Sequence, residues 1–218
     1  MADWVTISSL ATAGGTLVLA AATFASVRSA NRAARVAERS LLLGIRPVLA
    51  SSRLDEDPAE EVTFGTGRAF TVPAGTALIE DEGDAIYLAM TVRNVGAGIG
   101  VIHGWYLHAD WDPRTPRPEP ESFRRQTRDL YVPSGDSSFW QGGLYEADEA
   151  LKAGVRRALA TEERLMIDLL YGDHEGGQRT ISRFIVASRG GRMLNSVVRH
   201  WNLDMTDPHA AALPPPAP

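Results

Sequence analysis

A run of 24 residues close to the N-terminus, residues 4–27, contains no charged side chain. An α-helix rises about 1.5 Å per residue, so this run would span about 36 Å, while the hydrocarbon core of a bilayer is about 30 Å thick. A helix buried in a soluble core rarely continues so far without a charge. We therefore predict that residues 4–27 cross a membrane once.

The segment differs from a cleaved signal peptide in its first residues. A signal peptide begins with a positively charged region, whereas the charged side chain that precedes Trp4 is Asp3. The segment is moderately apolar, because it contains threonines, serines and the pair Gly14 and Gly15. Hydroxyl groups can donate to the carbonyl oxygen one turn earlier, which lowers their cost in lipid.

Charges on the two flanks predict the orientation of the segment. Four arginines follow the apolar run at spacings of four, three and four residues: Arg28, Arg32, Arg35 and Arg39. Positively charged flanks stay in the cytoplasm. The N-terminus is therefore expected outside and the rest of the chain in the cytoplasm, with Trp4 as an aromatic anchor at the outer interface.

Residues 28–43 are rich in Ala, Arg, Glu and Leu, which favour a helix, so we expect the helix to continue to residue 45. On such a helix the four arginines share one face. Two interpretations of this face stay open: it binds anionic lipid headgroups, at about 1 kcal/mol per basic residue, or it only fixes the topology. Small residues such as Ala30 and Ala34 form a surface on which a second helix has room to pack.

Composition limits the function of the part that follows. About 190 residues remain after the apolar run, enough for one domain with its own core. The formal net charge of −5 is opposite to the basic surface that nucleic-acid binding needs. The chain has no cysteine, which excludes disulfides and thiolate metal sites. Arginine outnumbers lysine 21 to 1, a usage typical of a GC-rich bacterial genome.

Alternation of side-chain polarity predicts β-structure after residue 46. The clearest strand covers residues 84–95, where Ile86, Leu88, Met90 and Val92 recur with a period of two. Other short apolar runs are separated by turns that contain glycine or proline. We expect about nine short strands in total, paired mainly as hairpins.

Two further segments have recognisable patterns. Residues 145–163 combine early acidic and later basic side chains with an apolar stripe, which predicts a helix. Residues 111–128 contain four prolines within eight positions and are predicted to be an extended loop, followed by strand fragments at 130–133 and 138–141.

Together these patterns predict a mainly β chain with three parts. Residues 1–45 form a transmembrane helix that continues as a juxtamembrane helix. Residues 46–205 form an antiparallel, immunoglobulin-like β-sandwich with one helix. Residues 206–218 form a proline-rich tail that is expected to be disordered.

Four features of the sequence carry a resemblance to a known group. They are an anchor running into an Arg/Ala-rich helix that ends at Arg46-Pro47-Val48-Leu49, the strand and turn of residues 88–98, the hairpin of residues 167–184 with Tyr171, Asp173 and Gly176, and a closing strand with Trp201. In these features the chain resembles a set of uncharacterised bacterial single-pass membrane proteins. The resemblance implies a membrane-tethered β-domain and no particular activity.

One group of residues has the chemistry of a metal site. His103, His108, Asp110 and Asp112 combine imidazole and carboxylate, which are acceptable ligands for zinc or iron. Residues 108, 110 and 112 are expected on one side of a strand and His103 on the other. The simpler interpretation is a strand end that runs into a polar loop, so no metal, catalytic or cofactor-binding residue is assigned.

Other motifs of catalysis do not have the required context. The serines near Gly135 do not form a G-x-S-x-G motif. The glycine-rich residues 96–100 lie between two predicted strands rather than before a helix, so they are not predicted to bind phosphate. Four tryptophans could line a ligand surface, namely Trp105, Trp111, Trp140 and Trp201, but a tryptophan at a strand position more often belongs to a core.

We expect a non-enzymatic protein, anchored in the bacterial inner membrane, that presents a cytoplasmic β-sandwich for protein interaction or self-assembly. Its expected partners are the lipid bilayer and a protein or a second copy of the chain, with no nucleic acid and no cofactor. Two alternatives stay open. One is a metal-dependent hydrolase that uses His103, His108 and Asp110, and the other is an extracytoplasmic ligand-binding sensor with reversed topology.

Overall fold

The structure is a computed structural model of the 218-residue chain, and it describes residues 3–108, 110 and 112–207. The chain divides into two compact units, Met1–Gly44 and Ile45–Pro218. Strands account for 42% of the residues and helices for 27%, which confirms the prediction of a mainly β chain.

Helix α1 covers Trp4–Gly44 without interruption. Its segment Ile7–Glu38 is long and apolar enough to cross a membrane, judged by length and composition. The hydroxyl groups of Thr12, Thr16 and Thr23 donate to carbonyl oxygens four residues earlier, at 2.8–2.9 Å. These bonds satisfy the polar side chains within the helix itself, and the predicted continuation of the helix beyond the apolar run is confirmed.

The second unit contains eleven strands and one α-helix among its described residues. The strands are β1 (Leu49–Ser51), β2 (Glu60–Thr63), β3 (Ala69–Val72), β4 (Ala77–Asp81), β5 (Ile86–Asn94), β6 (Gly100–His108), β7 (Arg124–Val132), β8 (Ser137–Leu144), β9 (Leu165–Asp173), β10 (Arg179–Arg189) and β11 (Arg192–Asn202). Helix α2 covers Glu149–Ala160 and lies between β8 and β9 in the sequence.

The strands form two main antiparallel sheets. In the first, β5 is central, with β8 on one side and β1 and β4 end to end on the other. The second has the order β11-β10-β9-β6-β7, and β2 and β3 form a separate hairpin. The sheets also meet at their edges: Gln126 on β7 donates to the Gln141 carbonyl on β8, and Thr76 bridges to Leu194 on β11. The predicted antiparallel sandwich is confirmed.

The core lies between the two sheets. Its largest fully buried side chains are Trp140, Tyr171 and Phe184. The indole rings of Trp105 and Trp140 pack edge to face, with ring centroids 5.4 Å apart. Helix α2 adds Val155 to the same apolar cluster, which follows from its predicted apolar stripe. Trp105 and Trp140 are therefore core residues.

The structure corrects three boundaries. Strand β7 begins at Arg124, inside the predicted loop of residues 111–128, and the predicted fragments at 130–133 and 138–141 belong to strands of nine and eight residues. The first residues of β7 do not show the alternation of polar and apolar side chains that predicts a strand, because most of these side chains are exposed at the sheet edge. The predicted helix over 145–163 is shorter, since a 3₁₀ turn, Glu146–Asp148, precedes α2. From residue 208 onwards the predicted tail lies outside the described residues.

The glycine-rich turn after β5 packs against the first residues of the second unit, which we call the soluble unit after its expected role. A Cβ atom on Gly96 would collide with the Arg46 carbonyl oxygen, and one on Gly98 would collide with the Ile45 carbonyl oxygen. These glycines are therefore required for close backbone approach. That role explains a glycine-rich segment placed between two strands.

Asn94 joins this turn to two other parts of the unit. Its side chain is fully buried, and its Oδ1 accepts hydrogen bonds from the backbone N–H groups of Val48 and Gly96. Its Nδ2 donates to the carbonyl oxygens of Gly98 and Val132, at 2.6 and 3.0 Å. All four hydrogen-bonding positions of one buried amide are thus used to hold the ends of β1, β5 and β7 together.

Replacing Asn94 should unfold the soluble unit more easily. Asn94→Ala removes the partner of two partly buried N–H groups, one partly buried carbonyl oxygen and one buried carbonyl oxygen, and each buried unsatisfied group costs about 1–3 kcal/mol. We expect a loss of at least about 3 kcal/mol in the free energy of unfolding, measured by urea denaturation of the full chain in a neutral detergent.

Ser134→Ala provides the matched control, because it removes one exposed hydrogen bond to Gly96 from the same turn. Equal stability losses for the two variants would contradict the role assigned to Asn94.

Candidate functional site on the outer face of the five-stranded sheet

The five-stranded sheet has an outer face that carries a buried pair of opposite charges. The inner face contributes Ile167, Leu169 and Tyr171 of β9 to the core. The residues between them in sequence lie on the other side, so Asp168 is on the outer face. Arg183 of β10 is its cross-strand partner, which places an acid directly opposite a base.

Asp168 is the centre of a buried ionic cluster. It is completely buried, and its Oδ1 accepts from Arg183 Nε at 2.8 Å while its Oδ2 accepts from Arg183 Nη2 at 2.7 Å. His108 Nε2 lies 2.8 Å from the same Oδ2. The two-pronged contact of a guanidinium with a carboxylate is among the strongest hydrogen-bonded ion pairs, and it fixes both side chains in orientation.

The remaining donors of Arg183 hold the proline-rich loop against the sheet. Nη1 donates to the Thr115 carbonyl oxygen at 2.6 Å, and Nη2 donates to the Pro116 carbonyl oxygen at 3.0 Å. The guanidinium carbon also lies 4.9 Å from the centroid of the Trp201 ring. Since Asp168 and these carbonyl groups engage the whole guanidinium, the cluster is suited to holding a loop in place rather than to transferring a proton.

A groove runs beside this cluster along β11. It consists of three adjoining clefts of about 240, 550 and 540 Å³. The first and second share Arg164, Ile185 and Val198, and the second and third share Arg199. We call this continuous depression the β11 groove.

A separate polar cleft of about 560 Å³ surrounds His103. Its lining includes Asp129 and Arg179. Burial lowers the pKa of His103, and the nearby Asp129 and Asp173 oppose this effect only in part. Asp173 accepts two backbone hydrogen bonds through Oδ1, while its buried Oδ2 has no partner among the described residues. The cleft therefore holds an imidazole whose neutral form is favoured.

A serine and a histidine meet on the inner face of the same sheet. Ser182 Oγ lies 2.6 Å from His200 Nδ1 and 2.9 Å from the Tyr171 hydroxyl, which accepts from the Leu49 N–H group. Burial lowers the pKa of His200 and raises that of Tyr171. Ser182 is completely buried, so its hydroxyl is out of reach of a substrate. This chain of hydrogen bonds positions β1 against β9 and β10.

The predicted membrane-surface residues are exposed on α1. Arg28, Arg32 and Arg35 line one side of the helix together with Phe24, which agrees with their helical spacing. The side chain of Arg39 lies outside the described residues. Trp4 is 82% exposed at the start of the helix.

The residues considered for a metal site have separate partners. His108 contacts Asp168, Asp110 pairs with Arg157, and Asp112 accepts from the Arg114 N–H group. Within residues 3–108, 110 and 112–207, no group of three or more His, Asp or Glu side chains is arranged to hold a metal ion.

The structure also changes the expected placement of His103. A register shift in β6 between Ile102 and Gly104 interrupts the alternation of side chains. His103 consequently lines an outer-face cleft with Leu170, on the same face as His108 rather than on the opposite one.

The Asp168–Arg183 pair was not identified from the sequence, although a signal is present. Each residue is the charged member within an otherwise apolar or uncharged strand segment: LMIDLLY for Asp168 and TISRFIVA for Arg183. A charge inside such a segment requires a buried partner. Two opposite charges on strands joined by one hairpin are the simplest pair that satisfies this requirement.

Comparisons with known proteins give little further information. No protein-family model matches the sequence, and no curated protein matches it either. The crystal structure of a protein from Archaeoglobus fulgidus aligns with 60% of this chain and 96% of its own, at 10% identity and a TM-score of 0.24. At that score, nothing about this chain follows from the similarity.

Removing one charged partner from the ionic cluster should lower the free energy of unfolding. Asp168→Ala leaves the Arg183 guanidinium buried without its counter-charge, and such a change costs about 3–5 kcal/mol. The double variant Asp168→Leu/Arg183→Met removes both charges and should recover much of that loss, measured by urea denaturation. Asp81→Ala, which removes an exposed pair with Arg156, is the control and should have little effect. A stable Asp168→Ala variant would contradict a structural role for the cluster.

The lowered pKa of His103 should appear in the pH dependence of stability. The unfolded chain binds a proton near the ordinary pKa of 6.5, whereas the folded chain does so only at lower pH. The free energy of unfolding should therefore fall as the pH drops below 6.5, and His103→Gln should make this fall shallower. An NMR titration of the His103 ring protons, assigned with the same variant, checks the direction, and a midpoint at or above 6.5 would contradict it.

Proposed function

We propose that this chain is a single-pass membrane protein that holds a non-enzymatic β-sandwich at the membrane surface for interaction with a protein partner. The observation that carries the proposal is the exposure of α1. Apolar side chains such as Leu17 and Phe24 are 74% and 69% exposed, and none of the apolar window is buried within the protein. A hydrocarbon core is the environment in which such a helix buries this surface.

The proposed orientation places the soluble unit in the cytoplasm of a bacterial cell. Arg28, Arg32, Arg35 and Arg39 all follow the apolar run, whereas Asp3 precedes it, and positive flanks remain cytoplasmic. The excess of arginine over lysine supports a bacterial origin. The inner membrane is then the bilayer that the helix crosses.

The separation of the polar residues supports binding rather than catalysis. His103, His108 and Asp110 belong to three different environments, which disfavours the metal-dependent hydrolase that they suggested. Ser182 has a histidine partner but is buried. The accessible features of the soluble unit are grooves and exposed strands, which are surfaces that bind other chains.

The absence of cysteine allows a direct test of topology. Asp3→Cys and Ala59→Cys each introduce a single thiol at an exposed position. A membrane-impermeant maleimide added to intact spheroplasts should label Asp3→Cys, because the N-terminus is outside. It should label Ala59→Cys only after the membrane is permeabilised, and the cysteine-free parent is the control. The reverse pattern would overturn the orientation and favour an extracytoplasmic sensor.

A second experiment tests the interaction itself. The only lysine, Lys152, is buried and bonded to the Asp84 carbonyl oxygen, so amine-directed crosslinkers are unsuitable. A photo-crosslinking amino acid at the exposed Val198 should instead yield one recurrent product in native membranes, identified by mass spectrometry. The same amino acid at Thr127, on the opposite edge of the sheet, is the matched control. A product that contains only this chain would indicate self-assembly, and no product at Val198 would contradict the interaction role.

A further inference from the structure

The β11 groove carries the opposite charge to the rest of the soluble unit. Six arginines line it: Arg114, Arg117, Arg164, Arg183, Arg189 and Arg199. Arg183 is neutralised by Asp168, so the positive charge that faces a ligand comes from the others. Asp207 is the one acidic residue among the lining residues of these three clefts. Residues 45–218 as a whole contain 25 acidic but only 18 basic side chains. A basic groove on an acidic domain attracts negatively charged ligands selectively.

A β-bulge shapes the middle of the groove. Arg183 pairs with Arg199, and the next residue of β10, Phe184, pairs with Val197, which leaves Val198 as an extra residue. Consecutive side chains of a regular strand point to opposite faces, but Val198 and Arg199 both line the same cleft. The bulge therefore supplies an apolar contact and a positive charge at one place.

The positively charged side chain of Arg199 is held in position by an aromatic ring. The guanidinium of Arg199 lies 5.2 Å from the centroid of the Trp201 ring, where the electron-rich face of the indole favours a cation. Trp201 is itself packed between Arg199 and the buried Arg183. Stacking leaves the donors at the rim of a guanidinium available to an incoming carboxylate.

The shape of the groove favours an extended ligand. It follows β11 from Leu194 to Asn202, a length of about 27 Å at about 3.3 Å per residue. Residues of both β10 and β11 line it, so the groove lies on the face of the sheet rather than along the β11 edge, where the Asn195 N–H group is already bonded to the Gly75 carbonyl oxygen. Extended peptides are commonly recognised through clefts that take their alternate side chains. The arginines are distributed over all three clefts, whereas a single lipid headgroup would use a compact cluster.

We propose that the β11 groove binds an extended acidic segment of a partner protein, about eight residues long. Its carboxylates pair with Arg199 and with the exposed Arg189 and Arg114 of the two flanking clefts, while the intervening apolar side chains contact Val198 and Ile185. This proposal rests on the proposed function and adds the chemical class of the partner.

The test uses the full chain in nanodiscs of zwitterionic phosphatidylcholine. The probe is a fluorescein-labelled peptide of about eight residues with alternating Glu and Val, and binding is measured by fluorescence anisotropy. We expect saturable binding that weakens with salt, and no binding of a peptide with Lys in place of Glu. Arg199→Glu and Arg114→Glu should each weaken binding about tenfold or more, because each places a like charge beside the peptide.

Arg128→Glu is the matched control, since Arg128 is an exposed arginine on β7, the other edge strand of the same sheet. It should leave the affinity unchanged. Arg199→Ala should weaken binding less than Arg199→Glu, and urea denaturation verifies that every variant is folded.

Several outcomes would overturn the proposal. These are no peptide binding by the parent chain, an equal loss for Arg128→Glu, or a dependence on Arg199 seen only with phosphatidylglycerol vesicles or an oligonucleotide. If the peptide does not bind while the crosslinker at Val198 captures a protein, the acidic-segment assignment fails and the proposed interaction function stands. If neither occurs, both fail.

Discussion

The fold of the soluble unit depends on the buried side chain of Asn94. An amide out of contact with water must have its two donors and its acceptor satisfied, and here each position is used by a different backbone group. These groups belong to the start of β1, the turn after β5 and the end of β7. This one polar side chain therefore ties the observed register of β1, β5 and β7 together, where strands of both sheets meet. The apolar packing of Trp140 and Phe184 in the core then stabilises the strand arrangement that Asn94 holds together.

Arginine serves three distinct purposes in this chain, and its surroundings decide which one. In α1 it follows an apolar run, and we propose that it fixes which side of the membrane the rest of the chain lies on. At Arg183 it is buried, bonded to Asp168, and ties a proline-rich loop to the sheet. Along β11 it is exposed and forms a basic groove on an acidic domain. The planar, permanently charged guanidinium suits all three purposes, which a lysine would fill less well.

The sequence predicts those features that depend on local pattern. The absence of charge in residues 4–27 is sufficient to predict the apolar part of α1. The period of two in β5 is sufficient to predict a buried strand. What the pattern does not contain is register. Whether Asp168 meets Arg183 depends on how β9 and β10 align, and the placements of His103 and Val198 depend on bulges that insert one residue into a strand. The first residues of β7 are not predicted for a related reason, because their exposed position at the sheet edge makes this polar stretch resemble a loop.

The soluble unit begins and ends at one corner. Arg46, at its start, is bonded to Asn202 and paired with Asp204, at the end of the described chain. The two ends of the unit are therefore adjacent, and an ion pair rather than a peptide bond joins them. Proteins whose ends are adjacent tolerate a change in the order of their segments. A chain joined from Asp204 to Arg46 and opened at Gly176, on an exposed hairpin tip, would retain the same sheets and the same core.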